Sequence, residues 1–152
     1  MNADPHVMEY YPSTLTTAES NAMVDRIEDR FRVDLGLWAV ELPGRAIFIG
    51  YAGLAPADFE AHFTPAVEVG WRLAHEHWGQ GYASEAARAA VADGFERLRL
   101  AEIVSFTSKI NLRSRRVMEK LGMSHDASDD FDHPAVVEGH RLRPHVLYRL
   151  RR

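Results

Sequence analysis

The sequence predicts an α+β domain built on a mixed sheet. Two patterns carry this prediction. In the first half, two alternating runs flank Pro43-Gly44-Arg45, which signals an antiparallel hairpin. In the second half, β-prone runs alternate with stretches whose apolar residues recur at helical spacing, giving strand-helix-strand-helix-strand. The chain has 152 residues, 46% of them hydrophobic and 26% charged, which suits one domain over residues 1–152 with a real core. Its formal net charge of -4 gives no general attraction for nucleic acid. The absence of cysteine excludes disulfides, thiolate metal sites and a cysteine nucleophile. No apolar run is long enough to span a membrane, and Met1-Asn2-Ala3-Asp4-Pro5-His6 is polar, without a basic-then-apolar signal, so a cytoplasmic protein is expected.

Taken in order, residues 2–12 read as a turn-rich lead-in, with Asp4-Pro5 favouring a turn. A helix is expected from Ser13 or Thr14 to about Leu35. Thr16-x-x-Glu19 fits a capping box, Ala22, Met23, Ile27 and Phe31 form an apolar stripe, and Gly36 is the expected stop. Leu37 to Leu42 and Ala46 to Leu54 are the hairpin strands. Residues 55–65 are loop. Val67 to Leu73 is a third strand, with Val67, Val69, Trp71 and Leu73 on one face and Glu68, Gly70 and Arg72 on the other. Gly70 inside it suggests a bulge or a close approach by a ligand. A long, alanine-rich helix is expected from about Gly81 to Arg99, then a strand from Glu102 to Ser108. Asn111 caps a second-half helix that Gly122 stops. Residues 124–134 are acidic and read as loop with one strand near Met123 to Ala127. His145 to Leu150 is the last strand.

The stretch from Trp71 to Ala87 organises the chain. A strand runs into a turn holding Gly79 and Gly81 and then into a long helix. That order aims unpaired main-chain N–H groups and the positive end of a helix dipole at one spot, where a phosphate fits. Glycine lets an anion approach the backbone. The bland alternative is a tight strand-to-helix turn. No Lys-Ser/Thr follows the second glycine, which excludes a P-loop. A dinucleotide fingerprint needs Gly or Ala where Ser84 stands and an acidic residue where the next strand ends at Lys109.

Trp78-Gly79-Gln80-Gly81-Tyr82-Ala83-Ser84-Glu85-Ala86 and Asn111-x-x-Ser114-x-x-Val117-Met118-Glu119-Lys120-Leu121-Gly122-Met123 stand in this order, separated by one helix and one strand. Together they resemble the GNAT superfamily of N-acetyltransferases, in particular the branch containing the ribosomal-protein N-terminal alanine acetyltransferases. The resemblance covers roughly Leu37 to the C-terminus. It implies a mixed, mostly antiparallel sheet whose two central strands splay apart, flanked by helices, with acetyl-CoA wedged into the V as cosubstrate and no metal. It further implies that the pantetheine arm pairs with the strand holding Glu68 to Leu73, including Trp71, Arg72 and Leu73. The pyrophosphate would sit on Trp78, Gly79, Gln80, Gly81, Tyr82, Ala83 and Ser84, and Asn111 and Ser114 would approach the pantetheine and the thiol. Three departures stand out. Trp78 occupies a position that is often Gln or Arg in the superfamily. Ser124-His125-Asp126 lacks the Tyr that many members place after the second motif helix. The chain begins where relatives have already contributed a first strand, so an N-terminally short domain lacking that strand is expected, with an exposed sheet edge that invites a homodimer.

Acetyl transfer needs a deprotonated amine, a polarised thioester carbonyl and a protonated leaving thiolate. Glu68 is the first candidate base, against the bland reading of a solvated strand residue. Ser114 is the candidate acid in place of the Tyr, against simple helix capping. A main-chain N–H near a Gly70 bulge is the candidate oxyanion donor. His75, His77, His133, His140 and His145 read as structural or solvated. Arg113, Arg115 and Arg116 read as a solvated face from which one side chain reaches the 3′-phosphate, and Trp71 and Trp78 as packing. Two functions compete: an N-acetyltransferase acting on a primary amine by direct attack in a ternary complex, and a non-catalytic acyl-CoA-binding or interaction module. Protein N-termini, free amino acids, polyamines and aminoglycosides all remain as acceptors. The acidic run Asp126, Asp129, Asp130 and Asp132 would draw a cationic one, or simply be a solvated loop.

Overall fold

The structure, a computed structural model, describes residues 1–31 and 34–152. The lead-in is a chain of turns tied by main-chain bonds such as Met8 N to Asp4 O at 3.0 Å. Helix α1 (Thr17–Arg30) starts later than expected, because Thr16 and Glu19 close the full capping box. It also ends earlier, at Phe31. Of the remainder of the expected helix, Arg32 and Val33 lie outside the described residues, and Leu35 and Gly36 are not helical. Gly36 is therefore not a helix stop. Its main chain packs under the Phe31 ring, where a Cβ would clash, and its carbonyl accepts from Leu54 N–H at 3.0 Å.

Strand β1 (Leu37–Leu42) and β2 (Ala46–Pro56) form the hairpin, turned at Gly44 with φ +73°. Strand β2 runs two residues past its expected end, since Ala55 and Pro56 continue the ladder opposite Glu68 and Val67 of β3 (Val67–Leu73). Helix α2 (Tyr82–Glu96) and strand β4 (Glu102–Ser108) follow, then α3 (Leu112–Lys120), the two-residue strands β5 (Ser124–His125) and β6 (Phe131–Asp132), and β7 (Pro144–Arg151). The seven strands order as β1-β2-β3-β4-β7-β5, with β6 also on β7. Every pairing is antiparallel except β3–β4.

That parallel seam is where the sheet opens. Strands β3 and β4 share a single pair, Glu68 with Val104. The Ser105 hydroxyl then donates to Val69 O at 2.9 Å, and beyond it no pairing links the two strands. The main core lies on one face of the sheet, where Leu54, Val69, Ile103, Val146 and Tyr148 pack with Ala87, Ala90 and Val91 of α2 and Met118 of α3. The small alanines let α2 lie close to the strands. Gly94 goes further, since a Cβ there would stand 2.8 Å from Ile103 Cδ1. The opposite face carries Tyr51, Glu68, Gly70, Arg72, Phe106 and His145, following the cross-strand register. It lies beneath the lead-in, α1 and the 57–66 and 133–143 segments, so Leu147 on this face is also fully buried.

The β2–β3 register runs unbroken from Gly50–Leu73 to Pro56–Val67, so the expected bulge at Gly70 is absent. The protein itself imposes no steric need for glycine there. An added Cβ would meet nothing within 4 Å and would project into the cleft described next.

Candidate active site

A cleft of about 770 Å³ begins at the fork between β3 and β4. Strand geometry fixes what its β3 wall offers. Main-chain groups alternate sides along a strand, so the Val69 carbonyl that takes the Ser105 hydroxyl places Trp71 and Leu73 on the same edge. Leu73 O accepts the Trp78 indole N–H at 2.9 Å. The Trp71 N–H and C=O and the Leu73 N–H thus face the cleft with no strand opposite them. The Gly70 N–H belongs to the ladder with β2 and is not an oxyanion donor.

The turn after β3 forms the floor. Trp78, anchored through its indole, starts it; Gly79 and Gly81 adopt φ +76° and +91°, and Gly81 caps α2 without a side-chain bond. Among the described residues no main-chain N–H from Gly79 to Ser84 donates to a protein acceptor. Such a run of free donors at a helix N-terminus is an anion cradle, and a Cβ at Gly79 or Gly81 would stand in the space it leaves open. Trp78, Gly79, Gly81, Tyr82, Ala83 and Ser84 line the cleft. Gln80 does not. Its side chain turns back toward Glu76 O and Tyr82 OH.

Across the fork, Asn111 is the expected cap. Its Oδ1 accepts from Ser114 N–H at 3.1 Å and its Nδ2 donates to Thr107 Oγ1 at 3.0 Å. Among the described residues the Ser114 hydroxyl has no hydrogen-bond partner, and Ser114 lines the cleft. Of the three arginines expected on a solvated face, Arg113 pairs with Glu9 at 2.6 Å and lies 4.8 Å over the Trp78 ring. Arg115 reaches Tyr148 OH at 3.3 Å, and Arg116 lines the cleft.

Glu68 stands on the other face, at the fork itself. Burial pushes its carboxyl up to about 7, an effect that Arg30 opposes and Asp58 adds to. A carboxyl poised near neutrality can take or give a proton at physiological pH. Arg72, four residues along the same face, stacks over Tyr11 at 4.1 Å and donates from Nη1 to Asn2 Oδ1 at 2.9 Å.

Sequence reasoning missed two histidines. His133 and His145, read from the sequence as structural or solvated, both line the cleft, with ring centroids 4.9 Å apart. His133 Nδ1 accepts from Ala135 N–H at 3.2 Å, whereas His145 Nδ1 lies 3.0 Å from Arg143 O and so carries the proton. Their Nε2 atoms therefore play opposite roles, donor on His133 and acceptor on His145. Burial holds both below the usual histidine range, His133 at about 4. No local signal marks them, because eleven residues, most of them loop, separate them in the chain. Of the others, His77 lines the cleft, and His75 stacks on His6 at 4.8 Å. The acidic run does not face the cleft. Asp129 pairs with Arg149, Asp130 with His125, and Asp132 with Arg143, while Asp126 caps Ser128.

A sheet forked at its one parallel seam above an anion-binding turn is the architecture of the acetyltransferases. An acetyltransferase of Bacillus anthracis superposes with a TM-score of 0.77 at 26% identity, covering 99% of this chain and 84% of that one. The ribosomal-protein-S5-alanine acetyltransferase of Vibrio fischeri shares the fold with a TM-score of 0.74 at 16% identity, over 98% and 82%. The family model described as "Acetyltransferase (GNAT) domain" matches residues 1–124, and the chain belongs to that family of acetyl-CoA-dependent N-acetyltransferases. In sequence, YkkB of Bacillus subtilis is 34% identical over 123 residues, 79% of this chain and 69% of YkkB. An Aspergillus fumigatus protein named FsC-acetyl coenzyme A-N(2)-transacetylase is 39% identical over 94 residues, 59% of this chain. The match takes in only 39% of that protein's length. Among the described residues, no helix is long and apolar enough to cross a membrane.

Proposed function

We propose that this domain transfers an acetyl group from acetyl-CoA to a primary amine by direct attack in a ternary complex. One observation carries the reading: a single β3–β4 pair separates an unpaired strand edge and a run of free N–H donors on one side from a carboxyl poised near neutrality on the other. The Gly79–Ser84 main chain holds the pyrophosphate. The Trp71 and Leu73 main chain takes the amide groups of the pantetheine arm as an added strand would. The Trp71 N–H, the first unpaired donor past the fork, lies toward the thioester carbonyl and stabilises the negative charge that develops there. Glu68 accepts the proton the amine must lose, directly or through water. The Ser114 hydroxyl donates to the departing sulfur. Asn111 acts by capping α3 and so fixing Ser114, since both its polar atoms are engaged within the protein.

The test has two arms. Calorimetry with CoA measures whether the cleft binds it, and a thiol-release assay over a panel of primary amines measures transfer. Binding and turnover together support the reading. Binding without turnover on any amine would leave an acyl-CoA-binding module, and no binding would remove both.

A further inference from the structure

We infer that the acceptor is a small primary amine carrying a carboxylate, and that Arg72 receives that carboxylate. The inference rests on the reading of the cleft as an acetyl-transfer site. Glu68 is the one carboxylate among the described residues that line the cleft, whereas Arg30, Arg72, Arg113, Arg116 and Lys120 all line it. Arg30 is neutralised by Asp58 and Arg113 by Glu9. Arg116 and Lys120 belong to α3, on the side of the fork that carries Ser114. Arg72 alone stands on the Glu68 face without an ion pair among the described residues.

Its neighbours are neutral: the Tyr11 ring at 4.1 Å, the Tyr51 ring at 5.5 Å, Asn2 Oδ1 at 2.9 Å and Met23 Sδ at 3.8 Å. Its Nε is buried with no acceptor. A guanidinium stays protonated in any such setting, so a half-buried one without a counter-charge is destabilising until an anion arrives. Glu68 and Arg72 flank Gly70, whose missing side chain leaves the floor between them open. Four residues of strand separate the two Cα atoms by roughly 13 Å. With Glu68 at one end of that trough and Arg72 at the other, it can hold an amine at one end and a carboxylate at the other. The acidic segment that would have drawn a polyamine is engaged elsewhere, which leaves the cleft ill-suited to a polycation.

The experiment compares three amine pairs that differ only in charge: L-alanine and its amide, β-alanine and its amide, and γ-aminobutyrate and its amide, with spermidine as the cationic arm. Thiol release with acetyl-CoA gives kcat/KM for each. A charged hydrogen bond in place of a neutral one sets the expected preference for at least one acid over its amide at about tenfold or more. Arg72→Gln abolishes that preference, and Arg72→Lys restores part of it. In parallel, the protein saturated with CoA is melted with each acid or amide at millimolar concentration. The preferred acid raises Tm in the wild type and not in Arg72→Gln. Amides or spermidine reacting as fast as the acids would overturn the assignment while leaving the transferase reading intact. Acids that stabilise the CoA complex through Arg72 without any turnover would keep the assignment and remove the transferase reading. Neither turnover nor stabilisation would end both. Should Arg72→Gln fail to fold, the wild-type comparison of acid with amide still decides.

Discussion

Replacing Glu68 by Gln separates what this side chain does for the reaction from what it costs the fold. The carboxyl is raised from 4.5 to about 7, chiefly by desolvation. Folding therefore tightens proton binding at this group. The folded state is favoured by it in full below about pH 4.5, and that advantage is lost as pH rises through about 7. A displacement of this size is worth at most about 3 kcal/mol. Glutamine keeps the shape and never ionises, so Glu68→Gln matches the wild type near pH 5 and is the more stable protein at pH 8. The margin approaches about 3 kcal/mol, or roughly 6–12 °C in Tm for a domain of this size. Urea titrations of both proteins from pH 5 to pH 8 give the difference directly, and groups common to both cancel. Activity moves the other way. The wild-type kcat/KM rises on a limb centred near pH 7, and Glu68→Gln loses about 10²–10⁴-fold of it while CoA affinity is unchanged. A stability difference that stays flat across this range would refute the burial argument, and a variant that keeps the wild-type pH profile would refute the role as base.

Four further outcomes follow from separate parts of the fold. Gly81→Val puts a Cβ into the open cradle at a φ of +91°; CoA affinity measured by calorimetry falls more than tenfold, with a loss of about 1–2 kcal/mol in urea stability. Gly94→Ala destabilises the fold by about 1–3 kcal/mol, because the clash with Ile103 and Leu54 outweighs the gain in helix propensity of about 1 kcal/mol. The depressed histidines give acid sensitivity of the opposite sign to Glu68: their contribution is whole above pH 6.5 and is lost toward pH 4, so His133→Phe/His145→Phe flattens that part of the melting profile. Thr16→Ala opens the capping box and lowers urea stability by about 1 kcal/mol.

Most of the frame was legible because local signals and tertiary structure agree. The bounds of β1 follow from its Gly36 and Pro43 punctuation, those of β3 from alternation and those of β4 from a run of strand formers, and the strand-turn-helix order located the anion cradle. Legibility failed where a residue's meaning depends on what lies across the sheet. Gly70 inside a strand suggested a bulge or a close approach by a ligand; the bulge is absent, and the open trough beside it is defined only by the neighbouring strands. Gln80 belongs to the turn in sequence yet points away from the cleft, because the left-handed glycines on either side reverse the chain around it. Arg72 was expected on the strand that pairs with the pantetheine, but its main chain lies in the ladder with β2, and its missing counter-ion became visible only once the lead-in and α1 were seen to offer it rings, an amide and a thioether. The acidic run read as a solvated loop or as a draw for a cation, because its partners Arg149 and Arg143 are distant in the chain.

These unmet groups border one cleft, and that has an energetic consequence. In the free protein an unpaired strand edge and a run of N–H groups from Gly79 to Ser84 are left to water, and an uncompensated, half-buried guanidinium costs stability. A protein optimised for stability alone would close the seam by extending the β3–β4 ladder past Glu68. The Ser105 hydroxyl instead occupies the Val69 carbonyl where that ladder would continue, which ends the pairing at the fork. A bound ligand then takes over from water the bonds that the ladder does not make. At a CoA concentration a hundredfold above its Kd, mass action adds about 2.7 kcal/mol to the unfolding free energy. Hydrogen exchange reads where that gain falls. The amides of Trp71 and of Gly79 to Ser84 exchange freely without CoA and become protected with it. Protection that already exists in the free protein would mean that these groups are satisfied from within and that the fork is not a binding edge.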